Sequence, residues 1–145
     1  MSGQSEPSTT ELSAKVVTVS DGVIAGTRND ASGDALVARL TEAGWTVAAR
    51  RQIADGIDSV SEALVDLADG FTGLIVTTGG TGFGPRDLTP EGTAAVLERQ
   101  APGLAEAMRT WCRRSRRRTR SRPWPIARWW RAPIDQTRPT VCLTA

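Results

Sequence analysis

Leu74-Ile75-Val76-Thr77-Thr78-Gly79-Gly80-Thr81-Gly82 passes without a break from an apolar run into a loop of threonine and glycine. The short apolar stretch Leu74–Val76, running straight into this loop, predicts a strand buried on both faces of a parallel sheet. Beyond it, Gly79, Gly80, Gly82 and Gly84 leave the backbone bare, able to adopt positive φ and to be approached closely by a ligand. Consecutive N–H groups in such a loop can form an anion-binding nest, and Thr77, Thr78 and Thr81 add hydroxyl donors. Thr89-Pro90-Glu91 then starts a helix, with Thr able to cap, Pro at the first helical position and Glu at the positive end of the dipole. That helix N-terminus also favours phosphate. The loop is not a P-loop, because Pro85 and Arg86 stand where Lys and Ser/Thr are required. It is not a dinucleotide fingerprint either, since the third glycine is missing and the loop follows the third strand. The expectation is a phosphate-type site; a tight glycine turn without a ligand is the alternative.

Working outward, Lys15–Val19 reads as another buried strand, ending at the turn Ser20-Asp21-Gly22. A polar loop, Val23–Asp30, leads to a helix from Ser32 to Ala43 with Leu36, Val37 and Leu40 on one face and Gly44 closing it. Trp45, Val47 and Ala49 alternate with Thr46 and Ala48, as in a second strand. Residues 57–69 give a helix in which Val60, Ala63, Leu64, Leu67 and Ala68 share a face. The helix at Thr89 continues from Ala94 to Arg99, and Pro102 opens a last short one. Strands alternating with helices predict an α/β fold, three layers α/β/α around a mostly parallel sheet. Ligands of such sheets bind beyond the carboxyl ends of the strands. Ser20–Asp30, the loop around Asp55 and Thr77–Asp87 all occupy that edge.

Composition excludes several chemistries. The 145 residues suffice for one ordinary domain. There is no His, hence no Ser-His-Asp or Cys-His catalysis and no His-ligated metal, and there is no Tyr to act as a phenolic acid. Cys112 and Cys142 alone cannot make a four-ligand zinc site or a disulfide framework. No stretch is apolar enough to span a membrane, and residues 1–13 read as a polar, disordered lead, so a cytoplasmic protein is expected.

Two carboxylates stand out at the sheet edge. Asp87, beside the glycine loop, could hold Mg²⁺ between carboxylate and phosphate oxygens, or could be a solvated ion pair or turn cap. Asp55 is a similar candidate, although an Asp-Gly turn is its local reading. Ser20-Asp21-Gly22 and Asp30-Ala31-Ser32-Gly33 read locally as turn and cap chemistry and gain interest only because the fold brings them to the same edge.

These residues together resemble the molybdopterin-binding domain of molybdenum-cofactor biosynthesis proteins, of the molybdopterin adenylyltransferase type. The resemblance is carried by Ser20-Asp21-Gly22, Asp30-Ala31-Ser32-Gly33-Asp34, Asp55, Thr77–Gly82, Arg86-Asp87-Leu88-Thr89-Pro90-Glu91 and Pro102-Gly103-Leu104 with Met108-Arg109. It implies transfer of AMP from Mg²⁺-ATP to the terminal phosphate of molybdopterin, with pyrophosphate released. It implies Asp55 and Asp87 as the functional aspartates, Asp87 also holding the metal. Thr78, Gly79, Gly80, Thr81 and Gly82 would bind nucleotide and pterin phosphates, with Ser20 and Asp21 at a further ligand position. It also implies a homo-oligomer, trimeric or larger. A non-catalytic pterin-binding scaffold is the alternative of another class.

The resemblance covers residues 14–109, and the composition changes where it stops. Residues 1–109 carry 8 basic and 15 acidic side chains, a net of −7, whereas residues 110–145 carry 10 basic and one acidic, a net of +9. All 14 glycines precede the break, and four of the five tryptophans follow it. The family's later strand, Pro-Gly-x-Pro-like loop and closing helix are not recognisable there, so C-terminal elements are expected to be missing or replaced. Three readings of residues 110–145 are open: translation of a shifted reading frame, a disordered charged tail, and an Arg-Trp arm for nucleic acid.

Overall fold

A computed structural model describes residues 11–115 and 140–144. The chain runs through β1 (Ser13–Val19), α1 (Asp21–Ile24), α2 (Ala31–Glu42), β2 (Thr46–Ile53), α3 (Ile57–Ala68), β3 (Gly73–Thr78), α4 (Thr89–Val96), α5 (Pro102–Ser115) and β4 (Thr140–Thr144). The four strands form one sheet in the order β2-β1-β3-β4, and every neighbouring pair is parallel. Both faces of the central strands are covered, which is why β1 and β3 are nearly continuous in apolar character. On one face Ala14, Val16, Leu74 and Val76 pack with Leu40 and Trp45, joined by Leu36 and Val37 of α2. On the other, Val17, Val19 and Ile75 pack with Val60, Leu64 and Leu67 of α3. This is the three-layer α/β/α arrangement expected from the alternation of elements.

The order of strands fixes where a ligand can sit. The chain leaves β1 for β2 on one side and then crosses back to place β3 on the other side of β1. The crossovers diverge between β1 and β3, and at such a switch point the carboxyl ends of adjacent strands open a crevice.

Four local expectations need correction. The one-face alternation read through Trp45, Val47 and Ala49 is broken by a bulge: Ala14 pairs with Val47 but Lys15 pairs with Ala49, leaving Ala48 as an extra residue. The bulge reverses the facing of β2. Val47 packs with the α2 cluster, whereas Arg51 pairs with Asp66 of α3 and Ile53 packs against the α3 cluster. Arg50 and Gln52 are thereby turned toward Asp30 at the start of α2. The loop expected from Val23 begins instead with the single helical turn α1, whose Ser20 cap accepts from Val23 N at 3.3 Å. Thr89 does not cap α4: Leu88 occupies that position, and the buried Thr89 hydroxyl donates to Gly79 O at 2.9 Å. Finally, α4 stops at Val96 rather than reaching Arg99, because Leu97 is already extended.

The composition break at residue 109 is not a break in the backbone. Helix α5 runs across it to Ser115, and β4, inside the segment expected as a tail, adds a strand beside β3. The remainder of that segment, residues 116–139, lies outside the described residues, as do residues 1–10 of the expected lead.

Candidate functional site

At the switch point the ends of β1 and β3 and the loop after β2 enclose a cleft of ≈ 170 Å³. Its lining includes Val19 and Ser20 from the end of β1, Asp55 from the loop after β2, and Gly79, Gly80 and Asp87 from the glycine loop. Three of the segments singled out in the sequence therefore meet at one place.

The glycine loop can lie here only because two positions lack a side chain. Gly79 has φ +93°, and a Cβ on it would collide with the Val19 carbonyl oxygen. Gly80 has φ +61°, and its Cβ would collide with the Thr89 hydroxyl and lie 2.9 Å from Asp55 Oδ1. Thr89 fastens the loop from below, its N–H donating to Gly80 O at 3.0 Å and its hydroxyl to Gly79 O. The carbonyls of Gly79 and Gly80 are thus engaged. The N–H groups of Gly79, Gly80, Thr81 and Gly82, by contrast, have no acceptor among the described residues. Unspent donors at a strand-to-helix loop suit an anionic ligand.

The three loops are tied together by a reciprocal pair of aspartates. Asp21 N donates to Asp55 Oδ2 at 2.8 Å, and Asp55 N donates to Asp21 Oδ1 at 3.0 Å. Arg86 closes the arrangement: Nε donates to Asp21 Oδ2 at 2.6 Å, and Nη2 to Asp21 Oδ1 at 3.1 Å and to Asp55 O at 2.7 Å. The Arg86 guanidinium holds the Asp21 carboxyl below its ordinary range, with the Asp55 N–H adding to the effect, and Asp21 in turn raises Arg86. Asp21 is therefore consumed as a strut and does not line the cleft. Exposed pairs of this kind add little stability, so the contribution of Arg86 is alignment of three loops.

Asp87 accepts from Gly84 N at 3.0 Å through Oδ2, the turn-cap geometry considered from sequence, yet it also lines the cleft. Its second oxygen has no partner among the described residues. Those residues contain no cluster of three or more metal-ligating side chains. Mg²⁺ does not demand one, since it is typically held by one or two carboxylates together with substrate phosphates and water. A free carboxylate oxygen of Asp87, in one cleft with Asp55 and unspent N–H groups, fits that mode of binding.

Thr78, Thr81 and Gly82 do not line the cleft: Thr78 ends β3 half-buried, and the other two are exposed. Thr18, Val23, Arg28 and Asn29 also line the cleft and were not singled out individually, although Val23, Arg28 and Asn29 fall in the Ser20–Asp30 segment expected at this edge. Ser32, from the Asp30-Ala31-Ser32-Gly33 stretch expected there, lines it too. Asp30 is a structural residue. It caps α2 through Gly33 N at 2.9 Å and accepts from Thr18 Oγ1 at 2.9 Å, Arg50 Nη2 at 2.6 Å and Gln52 Nε2 at 3.0 Å.

A family model described as a probable molybdopterin binding domain matches residues 15–143, past the composition break. The molybdopterin adenylyltransferase of Escherichia coli (strain K12) is 38% identical over 97 residues, which cover 65% of this chain and 50% of the relative. The molybdenum cofactor biosynthesis bifunctional protein of Synechococcus elongatus is 38% identical over 111 residues, 70% of this chain and 35% of the relative. The alignments thus span about a third to a half of the length of these curated relatives. Among solved structures, the molybdopterin biosynthesis enzyme MoaB of Thermus thermophilus superposes with a TM-score of 0.63 at 36% identity, covering 81% of this chain and 69% of that one. A MogA structure gives 0.61 at 41% identity, covering 67% and 64%. Among the described residues, no helix is long and apolar enough to cross a membrane.

Proposed function

The chain belongs to the molybdopterin-binding domain family, and from that premise we propose that it transfers the adenylyl group of Mg²⁺-ATP to the terminal phosphate of molybdopterin. In this reaction a phosphate oxygen of the pterin attacks the α-phosphorus, the bond to the β-phosphate oxygen breaks, and pyrophosphate leaves. The single observation that carries the reading is the cleft itself, where Asp55, Asp87 and the unspent N–H groups of Gly79 and Gly80 meet. Adenylyl transfer asks for alignment and charge neutralisation and needs no protein nucleophile. That requirement suits a chain without His.

Each residue has a part in this reading. The glycine-loop N–H groups bind phosphate oxygens and orient the acceptor. Asp87 holds Mg²⁺, which when bound neutralises phosphate charge and favours departure of pyrophosphate. Asp55, fixed by Asp21 N and by Arg86 on its own carbonyl, presents a carboxylate oxygen beside Gly80. Ser20, in the same lining, supplies a hydroxyl. In the same proposal the protein works in the cytoplasm as a homo-oligomer, trimeric or larger.

The test is pyrophosphate release from Mg²⁺-ATP on addition of molybdopterin, with adenylylated pterin as product. Pterin binding without either product would replace the proposal by a binding-only role. Within the reading, Arg86→Gln is expected to lower turnover about tenfold through loss of alignment, while the melting temperature stays close to the parent's, as for an exposed ion pair. A variant as active as the parent would remove Arg86 from the machinery.

A further inference from the structure

The charges in the cleft are unevenly matched. Asp55 and Asp87 are both in its lining, and Arg28 is the one cation among the described lining residues. Arg86 is already engaged by Asp21 and by the Asp55 carbonyl. Arg28 is exposed, and no carboxylate among the described residues lies within ion-pair distance of it.

Its backbone is nevertheless held on both sides. Thr27 N, Thr27 Oγ1 and Arg28 N all donate to Gly22 O, at 3.0, 3.1 and 3.1 Å. Two residues further on, Asp30 is anchored by four hydrogen bonds to β1, β2 and α2. Asn29 and Ser32 line the same cleft and add uncharged polar groups. A guanidinium on a pinned backbone, in one cleft with N–H donors and, like them, without a partner among the described residues, is arranged to meet an anion with little reorganisation.

We propose that Arg28 binds a phosphate group in this cleft, either the polyphosphate end of the nucleotide or the phosphate monoester of the acceptor. The inference takes only the identity of the substrates from the adenylyl-transfer reading, and its test does not depend on turnover.

The experiment titrates the full chain, Arg28→Gln and Arg28→Lys by calorimetry with two probes, inorganic pyrophosphate and glycerol 3-phosphate. Arg28→Gln is expected to weaken one probe about tenfold, as loss of one charge-assisted contact should. The probe affected identifies the nucleotide or the acceptor as the source of the phosphate. Arg28→Lys should recover part of the loss, because a point charge binds phosphate without the fork geometry. Arg39→Gln, on α2 and paired with Glu42, should change neither. Since Arg28 is exposed, the variants should melt with the parent, and a melt confirms it. Equal affinity of parent and Arg28→Gln for both probes, or no uptake of either by the parent, overturns the inference. A parent that binds pyrophosphate in an Arg28-dependent way but forms no adenylylated product leaves the inference standing and removes the adenylyl-transfer reading.

Discussion

Asp87→Asn is expected to lower the rate of adenylyl transfer about 10²- to 10³-fold while the protein stays folded. Asn keeps an oxygen that can accept from Gly84 N, the one hydrogen bond the Asp87 side chain makes among the described residues, and Asp87 N still donates to Gly84 O, so the loop retains its shape. What disappears is a full negative charge in a cleft where the nucleotide's metal would be held. The loss should therefore be concentrated in kcat at saturating ATP, with the melting temperature shifted by less than the equivalent of about 0.5 kcal/mol. Raising Mg²⁺ should recover part of the rate, because a weakened metal site is filled by mass action. An Asp87→Asn protein that turns over like the parent, or whose defect is insensitive to Mg²⁺, would assign Asp87 to the turn alone. Turnover and Mg²⁺ titration of parent and variant decide between these outcomes.

The sheet, its parallel sense and the loops that meet at its edge were legible because each rests on local chemistry. Continuous β-branched runs mark β1 and β3, and dense glycine after β3 marks a loop with a bare backbone. What could not be read depends on partners distant in sequence. Asp21 and Arg86 are 65 residues apart, and nothing in Ser20-Asp21-Gly22 tells that its carboxylate will be spent on a guanidinium. Thr89 has the signature of a cap, yet tertiary packing turns its hydroxyl to Gly79 O. The bulge at Ala48 was equally hidden, because a period-2 pattern cannot announce an extra residue that only the pairing with β1 reveals. The composition break at 109 was plain in the sequence but does not coincide with an element boundary, since α5 continues through it.

Asp30→Ala is expected to cost about 2–4 kcal/mol of folding stability, the largest effect of any single change considered for the scaffold. The Asp30 side chain is 5% exposed, and its removal leaves the buried Thr18 hydroxyl and Gln52 without their acceptor and α2 without its cap. Arg50 is partly exposed and keeps Asp34 at 2.6 Å, so the loss falls short of that for a fully buried pair. In a domain of this size the change corresponds to a fall in melting temperature of roughly 10 °C. Burial pushes the Asp30 carboxyl upward, but the hydrogen bonds from Arg50, Gln52, Gly33 N and Thr18 together outweigh it and hold it below the ordinary value. A depressed carboxyl contributes stability that is present above its unfolded pKa, about 3.9, and is lost as pH falls through the folded value. Denaturation curves of the parent should therefore weaken below about pH 4, and those of Asp30→Asn should lack part of that acid slope. Parallel pH dependence in the two proteins would show that Asp30 does not report its charge to the fold. Because Asp30 also anchors the loop that carries Arg28, Asp30→Asn should weaken pyrophosphate binding. Asp34→Asn should not, since Asp34 touches Arg50 from the solvent side with its side chain 69% exposed. Stability and anion binding falling together at Asp30, and separately at Arg28, would identify Asp30 as the joint between the scaffold and the cleft.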